Sequence, residues 1–332
     1  MPTAWTSDSV LQMARGYQPG CVLMAAAELD LFTVLAKGPM TAGRLATAVD
    51  ADQRATTFLA DALAALELLV KDGESYSLAP GARETLTEGG SACVLPMLQH
   101  QANCLRSWAQ LAAVVKSGHR HDRPPSIRGE AGDLASFIEA MEVGARTAAP
   151  KLVASLGALQ FTHLLDIGGG PGTWTIAFLR AHPSARATLY DLPDVIPIAK
   201  KHVEAAGLSD RVDFAPGSFE EDPKLPSGAD LAWVSAIVHM NSRQQNRDLF
   251  AKVHAALVPG GRILVRDVVM DDDHVTPAGG ALFAINMLVN TERGGTFSFA
   301  ELCEDLERSG FAEATLTRGE RDMDSVVRAR RA

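Results

Sequence analysis

Apolar residues change their rhythm part-way along this chain. Val10, Leu11, Met13, Val22, Leu23, Leu29, Leu31 and Phe32 recur at helical spacing over residues 8 to 36, and the stretch ends at Lys37-Gly-Pro39. A short helix capped by Thr41 runs to Val49, and the next pattern predicts a helix from Arg54 to Val70. Asp72-Gly-Glu-Ser-Tyr-Ser-Leu78 then supplies a turn and a small strand, so the order helix, helix, wing outlines a winged-helix fold. Helical spacing returns over Cys93 to Val115, with Met97, His100, Cys104, Leu105, Trp108 and Leu111, and over Asp133 to Leu156. The polar, proline-rich segment between them, Gly118 to Gly129, reads as a loop.

From residue 163 onward short apolar runs alternate with helical stretches. Predicted strands at His163 to Ile167, Ala187 to Tyr190, Val212 to Phe214, Asp230 to Ser235 and Gly261 to Asp267 are separated by helical patterns, including Val195 to Ala206 and Arg243 to Leu257. That alternation predicts an α/β fold, a doubly wound Rossmann-like domain at residues 148–332 behind a mainly helical, winged-helix-like domain at 1–147. Ligands of such a sheet bind outside the carboxyl ends of its strands.

The densest chemistry lies in His163-Leu-Leu-Asp-Ile-Gly-Gly-Gly-Pro-Gly172. Strand, glycine turn and helix start let backbone approach a ligand closely, with unpaired helix N–H groups behind. A dinucleotide fingerprint would need a glycine at Thr173, so the pattern D-x-G-x-G-x-G argues against a nicotinamide-dependent oxidoreductase. Asp191, about 20 residues on at the end of the next strand, suits a carboxylate that accepts from both ribose hydroxyls.

Length and composition narrow the rest. The 332 residues suffice for two domains, and 47% hydrophobic with 21% charged residues is ordinary globular composition. A net charge of −9 argues against a nucleic-acid or anionic-membrane surface. No apolar stretch is long enough to span a bilayer and the start lacks a signal-peptide pattern, which predicts a cytoplasmic protein. Cys21, Cys93, Cys104 and Cys303 have no finger spacing and read as reduced, mostly buried thiols. His119 with His121, and Asp271-Asp-Asp-His274, lie in loop patterns, so no metal is expected.

The glycine loop, Tyr190-Asp-Leu-Pro193, Ala215-Pro-Gly-Ser-Phe219, Ser235-Ala-Ile-Val-His239, Leu257-Val-Pro-Gly-Gly-Arg262 and Glu307-Arg-Ser-Gly-Phe311 stand in a telling order. The chain thereby resembles the S-adenosylmethionine-dependent small-molecule O-methyltransferases of the plant caffeate, hydroxyindole and bacterial polyketide or pigment type. The resemblance covers nearly the whole chain. It implies S-adenosyl-L-methionine as cofactor and S-adenosyl-L-homocysteine as product, with cofactor contacts at Asp166, Gly168, Gly170, Asp191, Leu192, Ser218, Phe219 and Ser235. It implies His239 as general base, Asp267 as the acid that orients it, and a homodimer through the N-terminal domain. It also implies an aromatic or quinone-like substrate against Trp108, Phe137, Met141, Met240, Asn286, Met287 and Asn290, of which Phe137 and the three methionines could otherwise be ordinary core.

Several positions depart from the family pattern. Met240-Asn241 replaces Asp-Trp after the histidine, Ser218 stands where an aspartate is common, and Ser235 where a lysine often sits. No second glutamate can be placed near Gly294-Gly-Thr-Phe297. N- or C-methylation, or non-methylating use of the same cofactor, stays open as the alternative. A winged-helix DNA-binding regulator is a more distant one, because acidic residues outnumber basic ones around the wing.

Overall fold

A computed structural model describes residues 4–319 and 322–332. The chain divides into two compact units, one of Met1–Arg106 with Arg123–Val143 and the other of Ser107–Asp122 with Gly144–Ala332.

In the first unit the helical stretch of residues 8 to 36 is three helices, Ser7–Arg15, Tyr17–Glu28 and Leu31–Leu35. Thr6 and Ser9 form a capping box at the first, and Asp30 breaks the chain before the third by adopting a left-handed φ of 53°. Thr41 caps the helix Ala42–Ala48 as expected, its side chain accepting from the Arg44 N–H. The helix expected to reach Val70 stops earlier, at Ala65. Glu67 turns the chain with a φ of 61°, and Leu69 and Val70 enter the strand Leu69–Asp72, which puts Leu69 in the core and Val70 at the surface. This strand pairs antiparallel with Ser75–Leu78, which pairs antiparallel with Met40–Thr41. Leu31, Phe32, Leu35, Leu45, Leu63 and Tyr76 pack the core, and the Tyr76 hydroxyl donates to Asp61 at 2.7 Å.

The two later helical stretches are also broken. Residues 93 to 115 hold Leu95–Trp108 and Leu111–Ser117, and residues 133 to 156 hold Gly129–Ala145 and Ala148–Ser155.

The second unit is built on seven strands, β1 His163–Ile167, β2 Arg186–Asp191, β3 Val212–Pro216, β4 Ala229–Ser235, β5 Leu257–Asp267, β6 Phe311–Arg318 and β7 Ser325–Arg331. Their spatial order is β3-β2-β1-β4-β5-β7-β6. The first five are mutually parallel where they pair, while β7 runs antiparallel to both β5 and β6. The strand order reverses between β1 and β4, a switch point that opens a crevice at the strand ends.

Alternation along the strands assigns the faces. Leu164, Leu189, Trp233 and Leu264 face Trp174 and Phe178 of the helix Thr173–Ala181. Leu165, Ile167, Val234 and Val265 face Leu249, Phe250 and Leu302 of the helices Arg243–Ala256 and Phe299–Arg308. Burial on both sides explains the near-continuous apolar runs of β1 and β4.

Candidate active site

The glycine loop after β1 is packed below and open above. Gly168, Gly170 and Gly172 hold φ of 66°, 54° and 83°, which side chains rarely adopt. A Cβ at Gly168 would stand 2.6 Å from Ile237 Cδ1, and one at Gly169 2.6 Å from Leu189 Cγ. At Gly170 a Cβ would meet nothing within 4 Å, so the loop presents bare backbone to open space there. Asp191, ending β2, accepts from the Gly170 N–H through Oδ2 and from the Leu192 N–H through Oδ1, both at 2.7 Å. Each oxygen keeps capacity for a further donor. Burial raises the Asp191 carboxyl above the usual range, against the lowering effect of these two N–H donors.

Asp166 sits differently from the other positions read as cofactor contacts. It is 1% exposed beneath the loop and accepts from the Thr175 hydroxyl at 2.5 Å, so it braces the loop against the next helix. Burial, with the nearby Asp191 charge adding to it, pushes its carboxyl up to about 7. Leu192 lies exposed beside Asp191. Beyond β3 the Ser218 hydroxyl accepts from the Glu221 N–H, and the Phe219 carbonyl accepts from Lys252 Nζ at 2.7 Å.

His239 and Asp267 meet at the carboxyl ends of β4 and β5. Ala236, at a φ of 57°, ends β4, and a short 3-10 turn over Val238–Met240 returns His239 towards the sheet. His239 Nδ1 lies 2.8 and 2.9 Å from the two Asp267 oxygens. The Val268 N–H holds the same carboxylate at 2.8 Å, and the Gly295 N–H donates to the His239 carbonyl at 2.9 Å. The Phe283 ring meets the imidazole edge to face, with centroids 4.8 Å apart. In a neutral imidazole, a carboxylate at Nδ1 favours the tautomer with its proton there, which leaves the lone pair on Nε2. Among the described residues nothing bonds Nε2.

The helix Ala278–Asn290 carries Phe283, Asn286 and Asn290 at i, i+3 and i+7, on one face. Asn286 Oδ1 accepts from the Trp108 indole at 2.8 Å and from Asn290 Nδ2 at 3.1 Å. The amide orientation is therefore fixed, and Nδ2 is left to donate elsewhere. Met240 is exposed, whereas Met287 is 6% exposed and packs as core. In the first unit Phe137 is exposed and lies 5.2 Å from the His100 ring, while Met141 is half-buried.

Asp273 accepts from the Val275 and Thr276 N–H groups in a tight turn, and no cluster of three metal-ligating side chains occurs among the described residues. The four cysteines are free thiols, of which Cys104 is buried and the others half-buried, so burial is less general than their spread suggested. Sequence reasoning missed Arg266, which is buried and bonded to Asp324 and Ser235. The visible signal was an arginine inside the otherwise apolar run Ile263-Leu-Val-Arg266.

Comparison with known proteins identifies the family. Residues 108–312 match the O-methyltransferase domain model, and residues 11–88 match the O-methyltransferase dimerisation domain. The tetracenomycin polyketide synthesis 8-O-methyl transferase of Streptomyces glaucescens is 32% identical, over 93% of this chain and 92% of its own. The 3-hydroxy-5-methyl-1-naphthoate 3-O-methyltransferase of Streptomyces sahachiroi is 30% identical, over 92% of this chain and 90% of its own. The crystal structure of human N-acetylserotonin methyltransferase in complex with SAM superposes with a TM-score of 0.82 at 26% identity, covering all of both chains. Among the described residues no helix is long and apolar enough to cross a membrane. The bare backbone at Gly170 and the open acceptor positions of Asp191 fit a nucleoside cofactor. The chain belongs to the O-methyltransferase family and is an S-adenosylmethionine-dependent methyltransferase that carries the family's dimerisation domain.

Proposed function

We propose that this enzyme methylates a hydroxyl of an aromatic or quinone-like small molecule, with His239 as general base. The observation that carries this reading is the Asp267 carboxylate on His239 Nδ1, which leaves Nε2 as the proton acceptor. A phenol with a pKa near 10 is only about one part in a thousand ionised at pH 7. Transfer of its proton to Nε2 makes the oxygen the stronger nucleophile, and Asp267 stabilises the imidazolium that forms. General-base help of this kind is worth about 10²–10⁴-fold. Bound S-adenosylmethionine supplies an electrophilic methyl on a sulfonium and leaves as S-adenosylhomocysteine.

The backbone at Gly168 and Gly170 would hold the cofactor together with Asp191, Leu192, Ser218, Phe219 and Ser235. Asp191, with spare acceptor capacity on both oxygens, suits the ribose hydroxyls. The Asn286 amide, with Nδ2 outward, suits a carbonyl or ether oxygen of the substrate, and Trp108 and Asn290 set its direction. Met240 adds an apolar, adaptable surface beside the base. The relatives named for a polyketide and a hydroxynaphthoate support a fused aromatic acceptor. A homodimer through the N-terminal region is supported by the dimerisation model and by Val10, Leu11 and Met13, which stand exposed on the first helix.

Incubation of the purified protein with S-adenosylmethionine and a panel of naphthols, hydroxyquinones, phenols and aromatic amines, read by mass spectrometry, tests the reading. A hydroxylated partner that gains one methylene unit as S-adenosylhomocysteine accumulates is the expected result. By-product formation with amines alone would refute O-methylation.

A further inference from the structure

Ser235 and Arg266 are neighbours in the parallel register of β4 and β5, on the face that also carries Trp233 and Leu264. Arg266 is 7% exposed, and its guanidinium lies 4.5 Å over the Trp174 ring. Nε and Nη2 donate to Asp324 Oδ1 at 2.9 and 2.7 Å, and Nη1 donates to the Ser235 hydroxyl at 3.1 Å. A guanidinium has five N–H groups, so one on Nη1 and one on Nη2 are left over. Ser235 is half-buried, and with its oxygen engaged by the arginine its own O–H is directed elsewhere as a donor.

We infer that Ser235 and Arg266 together form the donor site for the carboxylate at the amino-acid end of the cofactor, an inference that rests on the cofactor assignment above. Leftover donors beside a buried cation suit a two-oxygen anion, because charge-assisted bonds to a carboxylate are the strong ones. The strand order supports the direction. Asp191 ends β2, the glycine loop follows β1, and Ser235 ends β4, two strand spacings or about 10 Å from β2. A cofactor whose ribose is held at Asp191 and which lies across the glycine loop therefore carries its amino-acid end towards β4 and β5. Asp324 and Trp174 act as positioning residues, the first by fixing two N–H groups and the second by fixing the guanidinium plane.

The test compares two ligands by calorimetry. S-adenosylhomocysteine has the carboxylate, and 5′-methylthioadenosine keeps the nucleoside thioether without the amino-acid end. In Ser235→Ala and Arg266→Met we expect affinity for S-adenosylhomocysteine to fall roughly tenfold or more, with affinity for methylthioadenosine unchanged within about twofold. Equal weakening of both ligands, or of neither, would overturn the inference and leave Arg266 as a clamp between β5 and β7. Ser235→Ala removes one oxygen at a half-buried strand end, so it carries the test should Arg266→Met not fold. Failure of the unaltered protein to bind either ligand would overturn the cofactor assignment itself, and this inference with it.

Discussion

His239 Nδ1 lies 2.8 and 2.9 Å from the two Asp267 carboxylate oxygens, and the His239 backbone N–H donates to Oδ2 of the same carboxylate at 3.4 Å. The carboxylate is itself held by the Val268 N–H at 2.8 Å, so both partners have fixed directions. Geometry of this kind orients a base as well as stabilising its charge. Asp267→Asn keeps the shape but removes the charge and lets an amide N–H face Nδ1. We expect kcat to fall roughly 10²–10⁴-fold with KM nearly unchanged. Steady-state kinetics with unchanged kcat would show that the acid has no part in turnover.

Adjacent glycines of the loop should fail in different ways. Gly169→Ala drives a Cβ to 2.6 Å from Leu189 in the core, so thermal stability should drop, by about 1–3 kcal/mol. Gly170→Ala meets open space but must hold a φ of 54°, which costs about 1–2 kcal/mol, and its methyl occupies the ligand side. Its loss of S-adenosylhomocysteine affinity, expected to be tenfold or more, should exceed what its change in melting temperature implies. Retained affinity would show that the loop does not touch the cofactor at Gly170.

Asp166 should leave a mark on stability as a function of pH. Its folded-state carboxyl stands at about 7, above the ordinary value near 3.8, so the native state binds the extra proton between those values. The contribution is thus favourable at low pH and is lost as pH rises through about 7. Asp166→Asn keeps an acceptor for Thr175 without the charge. Relative to the parent, urea unfolding of the variant should show a gain in stability from pH 5 to pH 8 on the order of a few kcal/mol. A constant difference between the two proteins across that range would contradict the raised carboxyl.

Trp108 should act on the substrate through Asn286. Trp108→Phe deletes the indole N–H that holds Asn286 Oδ1 at 2.8 Å and leaves only the longer Asn290 bond, at 3.1 Å, to set the amide direction. KM for the aromatic substrate should rise several-fold, with kcat within about twofold and cofactor affinity unchanged. An unchanged KM would remove Trp108 from the substrate site.

What could be read from the sequence depended on how local each signal was. The glycine loop and Asp191 were legible because close backbone approach requires glycine and one crossover helix sets the spacing to the acid. His239 was not legible from its neighbours, since a histidine after a strand has many structural uses; only the ordered resemblance singled it out. The ends of the N-terminal helices were misjudged at Asp30 and Glu67, which turn the chain at positive φ without a glycine to announce it. Strands β6 and β7 escaped notice because Glu313, Arg328, Arg330 and Arg331 interrupt their apolar alternation with charge. Arg266 needed the register of β4 against β5, which pairs it with Ser235 although 31 positions separate them.

The most direct test of the central claim is the pH dependence of single-turnover methyl transfer by the parent enzyme and by His239→Gln, with a phenolic acceptor whose pKa is near 10. If His239 is the base, the parent rate should rise with pH much less steeply than that of the variant. The variant should be slower by about 10²–10⁴-fold at pH 7 and gain close to tenfold per pH unit towards the phenol pKa. Parallel profiles of similar height would contradict the account and assign the rate to proximity alone.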